Sequence, residues 1–158
     1  MKRNNAGFTL WEVIIVMAII AIISGIAVPN MIGWRDRSKI KAAFENLRGD
    51  LQWAKTRAIR DHDQVAVVFE ADRYEIYNTA GAIVRSRQLP TGVVIDLAAS
   101  TIPADPDDMN QLKTVFEVRG RCDENSNGDL TNGLLVLKSS VGDQRRISIN
   151  PLGQIRQE

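Results

Sequence analysis

Cysteine and histidine are almost missing from this chain. Among 158 residues there is one cysteine, Cys122, and one histidine, His62. A single thiol excludes an intrachain disulfide, so a domain exported to an oxidising compartment would be held by its apolar core alone. A single imidazole leaves no histidine cluster for a metal. Charge of one sign is missing as well. The formal net charge is +1, so the total balance says nothing about nucleic acid, although local clusters still can. There is no low-complexity tract, no internal repeat, no Gly-rich phosphate loop and no nucleophile–base pair. No catalytic constellation is visible, and no enzymatic activity is expected. The length suits one compact domain plus an appendage.

What the chain does have is one long apolar run. Met1-Lys2-Arg3-Asn4-Asn5-Ala6-Gly7 is short, polar and basic, and from Phe8 the residues are almost all aliphatic as far as Val28. From Val13 to Trp34 no side chain is charged, and about 20 apolar residues suffice to cross a bilayer. Lys2 and Arg3 in front of the run predict a cytoplasmic N-terminus and an exported remainder. A secretory signal peptide would share this outline, with Gly25-Ile26-Ala27 offering small residues near a cleavage point. Glu12 argues against it. A carboxylate in an apolar helix costs up to about 2.5–3.5 kcal/mol at the bilayer centre. Such a group suits a helix that later meets a positive partner.

Beyond Gly33-Trp34 the period becomes helical. Ile40, Phe44, Leu47, Leu51, Ala54 and Ala58 form one stripe, and charged residues, Asp50 among them, are expected on the other faces. Asp61-His62-Asp63 ends the helix, with His62 a surface residue. The period then switches to two. Strands are expected over Gln64–Glu70, Arg73–Asn78, Ala82–Leu89, Val93–Leu97, Thr114–Val118, Leu134–Leu137, Arg145–Ile149 and Gly153–Arg156. Ala98–Leu112 reads as a surface loop. The fold class is α+β, a long N-terminal helix packed on a small antiparallel sheet. Three parts follow: a leader over 1–7, a transmembrane and assembly helix over 8–34, and a head over 35–158 (amphipathic helix 35–61, β-rich 64–158).

Gly7-Phe8-Thr9-Leu10, then Glu12 and an aliphatic run up to Pro29, resembles the N-terminal signature of type IV pilins and type II secretion pseudopilins; Trp11 stands where an aliphatic residue is more usual. The resemblance implies cleavage by a prepilin peptidase between Gly7 and Phe8 and N-methylation of Phe8. It implies assembly roles for Glu12 and Pro29. In a bundle of parallel helices the new amine at Phe8 can pair with Glu12 of a neighbour, which makes both charges tolerable in an apolar surrounding. Pro29 either kinks the helix or ends it. Leu51-Gln52-Trp53-Ala54-Lys55-Thr56-Arg57-Ala58-Ile59-Arg60 and the C-terminal succession ending in Gly153-Gln154-Ile155-Arg156 are similar to the GspH/FimT group of minor pilins. The partners implied are other pilins, the peptidase and methylase, and the inner membrane before assembly, with the head in the periplasm.

Two ligand sites are candidates. Asp123, Asn125, Asn127 and Asp129, with Gly128, fit the first half of a calcium loop, although Leu134 stands where a bidentate glutamate is expected. A polar turn explains the same residues. Arg145, Arg146 and Arg156 offer a small basic patch, and the C-terminal motif resembles that of DNA-receptor pilins apart from Gln154. DNA binding is therefore the alternative function, against a charged edge strand that discourages aggregation. Cys122, in the same polar loop, is either incidental or a site of intermolecular pairing.

Overall fold

The computed structural model describes residues 8–123 and 133–158, without the side chains of 27–32 and 123. The chain divides into two compact units, Met1–Arg35 and Asp36–Glu158. Helix α1, Leu10–Asp61, contributes to both. Thr9 caps its first turn: the Glu12 amide donates to Thr9 Oγ1 at 3.3 Å and to its carbonyl at 3.1 Å. Thr9 is the N-cap and Glu12 the third helical residue, the spacing of a capping box, where a carboxylate also meets the positive end of the helix dipole. The backbone stays helical through Pro29, so the helix does not end there.

The helix stops by a Schellman arrangement. His62 takes φ 53°, and the Asp63 amide reaches back to the Ala58 carbonyl at 3.2 Å. Glycine usually fills this left-handed position. His62 carries a strain of roughly 1–2 kcal/mol there; it is exposed, as expected.

In the second unit, the stripe Ile40, Phe44, Leu47, Leu51, Ala54 and Ala58 is fully buried, with Ala43 added to it. Among the described residues nine strands follow: β1 Val65–Phe69, β2 Arg73–Asn78, β3 Ile83–Gln88, β4 Val93–Ile95, β5 Leu112–Phe116, β6 Cys122–Asp123, β7 Gly133–Ser139, β8 Gln144–Ile149 and β9 Ile155–Gln157. They form two antiparallel sheets, ordered β3-β2-β1-β5-β6 and β4-β7-β8-β9. The single sheet expected from the alternation is thus two. Alternation gives a strand its buried face but not its partner. After Pro90-Thr91-Gly92 the chain leaves β3 and pairs β4 with β7, more than forty residues later in sequence, Val93 opposite Ser139. Val65, Val67 and Phe69 from one sheet and Leu135, Leu137, Ile147 and Ile149 from the other close one core with the helix stripe.

Four of the hairpins share one turn. Asn78–Ala82, Glu117–Arg121, Ser139–Asp143 and Asn150–Gln154 each place a glycine fourth, with that glycine's amide bonded back to the first residue of its turn. This is a type I turn followed by a left-handed residue.

Candidate functional site

Three constructions stand out among the described residues. The first is the apolar start of α1. Phe8 is 85% exposed and Trp11 73%, and the aliphatic residues from Leu10 to Ile26 are all exposed within their own unit. Apolar surface of this extent marks contact with lipid or with other helices. Among the described residues no helix is long and apolar enough to cross a membrane; the expected span 8–34 runs through 27–32, whose side chains lie outside the description. The leader 1–7 also lies outside it.

The second is a buried carboxylate on the helix. Asp50 is 4% exposed. It accepts from Tyr74 Oη at 2.7 Å, from Arg87 Nε at 2.8 Å and from Arg85 Nη1. Arg85 lies over the Trp53 ring with its guanidinium 4.2 Å from the centroid, and Arg57 lies 5.3 Å from the same ring. Burial pushes the Asp50 carboxyl up, but the bonds from Tyr74, Arg85 and Arg87 outweigh it and hold the group below its ordinary value. Desolvation, and then the bond to Asp50, push the Tyr74 phenol well above its usual range. The arginines come from the edge strand β3 and Tyr74 from β2, so this one carboxylate pins the β2–β3 hairpin to the helix. Asp50 belongs on the buried face, not among the solvated charges. On the helical wheel Asp50 sits at the margin of the apolar stripe, beside Ala43, a position that alone does not tell burial from exposure.

The third is a clasp between the sheets. Gly153 has φ 66°, and a Cβ there would lie 2.0 Å from the Gly120 carbonyl oxygen. Gly120 has φ 72°, and its own Cβ would meet Ile59 Cδ1 at 2.6 Å. Lys55 Nζ donates to the Gly153 carbonyl at 2.8 Å. Two turns, one from each sheet, therefore meet backbone to backbone under a helix lysine. The glycine of Gly153-Gln154-Ile155-Arg156 is there because nothing larger fits.

The other expected residues fall as follows. Register places Arg156 opposite Ser148 on β8, and Arg146 two residues from Ser148 on the same face. Arg145 alternates to the other face. The structure brings Arg146 and Arg156 together but not all three. Asn125, Asn127 and Asp129 lie outside the described residues, as does the side chain of Asp123; among the described residues no group of carboxylates, thiol and imidazole could hold a metal. Cys122 is fully buried in β6, opposite Phe116. It is a core residue rather than a loop thiol, which removes intermolecular pairing from a folded head.

Comparison with known proteins follows this architecture closely. Residues 2–28 match the model of the prokaryotic N-terminal methylation motif. Residues 43–153, well over half the chain, match that of the type II transport protein GspH. The type IV major pilin protein PilA of Myxococcus xanthus is 52% identical over 45 residues, 28% of this chain. The chain spans about a fifth of that relative's length. Among solved structures, the type IV minor pilin FimU of Pseudomonas aeruginosa superposes with a TM-score of 0.58 at 16% identity, over 79% of this chain and 92% of that one. The minor pseudopilin EpsH from the type 2 secretion system of Vibrio cholerae gives 0.56 at 13% identity, over 76% and 96%. The chain belongs to the GspH family of type II transport proteins, and its helix-on-two-sheets architecture is the pilin fold.

Proposed function

We propose that this chain is a non-catalytic minor subunit of a type IV pilus or type II secretion pseudopilus, made as a precursor held in the inner membrane by one span with its head in the periplasm. Prepilin peptidase cuts between Gly7 and Phe8, and Phe8 is N-methylated. The apolar start of α1 then leaves the lipid for the helices of neighbouring subunits. The observation that carries this reading is the joining of an N-terminal methylation motif to a helix whose apolar side chains find no cover in their own unit. Glu12 supplies the selectivity of docking: alone in an apolar bundle its charge is costly, and paired with the new amine at Phe8 of a neighbour it is not. Thr9 caps the helix by accepting from the Glu12 amide, so the carboxylate that guides docking sits in the first turn, where the helix terminus already favours a negative charge.

The test is Glu12→Gln, which keeps the shape and the third position of the cap. Processing and the folded head should be preserved, and incorporation into filaments should fall at least about tenfold, the effect of losing roughly 1.4 kcal/mol or more of pairing. Wild-type incorporation of Glu12→Gln would refute the pairing mechanism.

A further inference from the structure

A concave surface lies away from the helix, on the outer face of the five-stranded sheet. Its volume is about 520 Å³, within the range of roughly 300–1,000 Å³ typical of small-molecule clefts. The floor is made of small apolar side chains, Ala66 and Val68 from β1 and Val115 from β5. One wall is Tyr77 and Asn78 at the end of β2. The other is the segment after Pro103, which folds back along β5 through Asp105 N–H to the Gln111 carbonyl at 2.8 Å and Lys113 N–H to the Pro103 carbonyl at 3.0 Å.

Fixed and uncommitted hydrogen-bonding groups alternate around this floor. Asp105, almost buried, is held by the Asp107 amide at 3.1 Å and by Lys113 Nζ at 3.3 Å. Asn78 Oδ1 accepts from the Ala82 amide at 2.8 Å, which orients the side chain and leaves its nitrogen with two donors to spare. Tyr77 donates to Glu75 Oε2 at 2.5 Å and can still accept. The Gln64 amide and the Asp107 carboxylate complete the rim, and no bond from either side chain to a described residue competes for them.

We infer that this groove is a binding site for a neutral or amine-bearing saccharide. Flat C–H faces of a sugar ring suit the floor of alanine and valine. Neighbouring hydroxyls suit side-chain amides and a carboxylate, which take two bonds at once. The charge disfavours anions: Asp105 and Asp107 face one ammonium, Lys113, Glu75 accepts from Tyr77, and the nearby Arg73 is paired with Glu70. Addition of a peptide strand is excluded by topology, since β1 is paired on both sides, with β2 and β5, and offers no free backbone edge.

The experiment uses the full chain in lipid nanodiscs, applied to an array of neutral, amino and anionic oligosaccharides beside an array of extended peptides. Calorimetry with the best-retained saccharide follows. Retention of neutral or amino sugars without anionic ones is expected. Asp107→Ala and Gln64→Ala should each weaken binding about tenfold, the worth of one hydrogen bond to a ligand, with no change in Tm, because neither side chain is bonded to another of the described residues. Failure of every saccharide to bind, retention of peptides instead, or affinities unchanged in both variants would overturn the assignment. Filament incorporation of the same variants should be normal, which keeps this outcome separate from the assembly function.

Discussion

Replacing Asp50 by alanine should unfold the head at a markedly lower temperature, and the structure allows the size to be worked out. The substitution leaves the Tyr74 hydroxyl, on a residue only 1% exposed, without an acceptor; an unsatisfied buried hydroxyl costs about 1–3 kcal/mol. Removing one member of a buried ion pair costs about 3–5 kcal/mol. That figure must be reduced here, because the Arg85 and Arg87 side chains are 35% and 41% exposed and can turn to water. A total near 3 kcal/mol results, or a fall in Tm of roughly 10 °C for a domain of this size. The pH dependence provides a second reading. The folded Asp50 carboxyl lies below its ordinary 3.8. Above 3.8 both folded and unfolded forms are ionised and the stabilisation is complete. As pH falls below 3.8 the unfolded chain takes the proton first, so the stabilisation fades until the folded carboxyl is protonated too. Thermal melts of wild type and Asp50→Asn by near-ultraviolet circular dichroism should therefore differ at pH 7 and converge towards pH 3. Equal Tm values at pH 7, or a gap that does not narrow in acid, would refute the role given to this carboxylate.

The clasp between the sheets predicts an asymmetry. Gly153→Ala drives a Cβ into a backbone oxygen and adds left-handed strain, for a loss of about 3 kcal/mol or more. Gly120→Ala meets the ends of two flexible side chains and should cost about 1–2 kcal/mol; equal losses in urea titrations would contradict the geometry. Thr114 Oγ1 is buried without a hydrogen-bond partner among the described residues, so Thr114→Val, which keeps the shape and removes the hydroxyl, should raise stability by about 1 kcal/mol. A loss of stability in that variant would mean the hydroxyl has a partner.

Much of this was legible before any coordinates. The stripe from Ile40 to Ala58 was readable because a helix needs one apolar face, and β2 because alternation ended at Asn78 in a turn closed by Gly81. The fixed spacings around Gly7, Phe8 and Glu12 carried the resemblance to the N-terminal methylation motif that residues 2–28 match. What escaped was information carried between distant residues. Asp50 looks like a surface charge until Tyr74, Arg85 and Arg87 arrive from strands more than twenty residues away. Strand β6 holds two residues, too few to show a period, and so Cys122 passed for a loop residue when it is core. The division into two sheets depends on which edge β4 finds, and no local pattern records that choice.

The central claim, that this is a processed filament subunit, is tested most directly at its N-terminus. Intact-mass and peptide mass spectrometry of the protein purified from native membranes should find a chain that begins with N-methylated Phe8. A chain that still carries Met1–Gly7, or one cut near Val28 so that the apolar helix is lost, would contradict it.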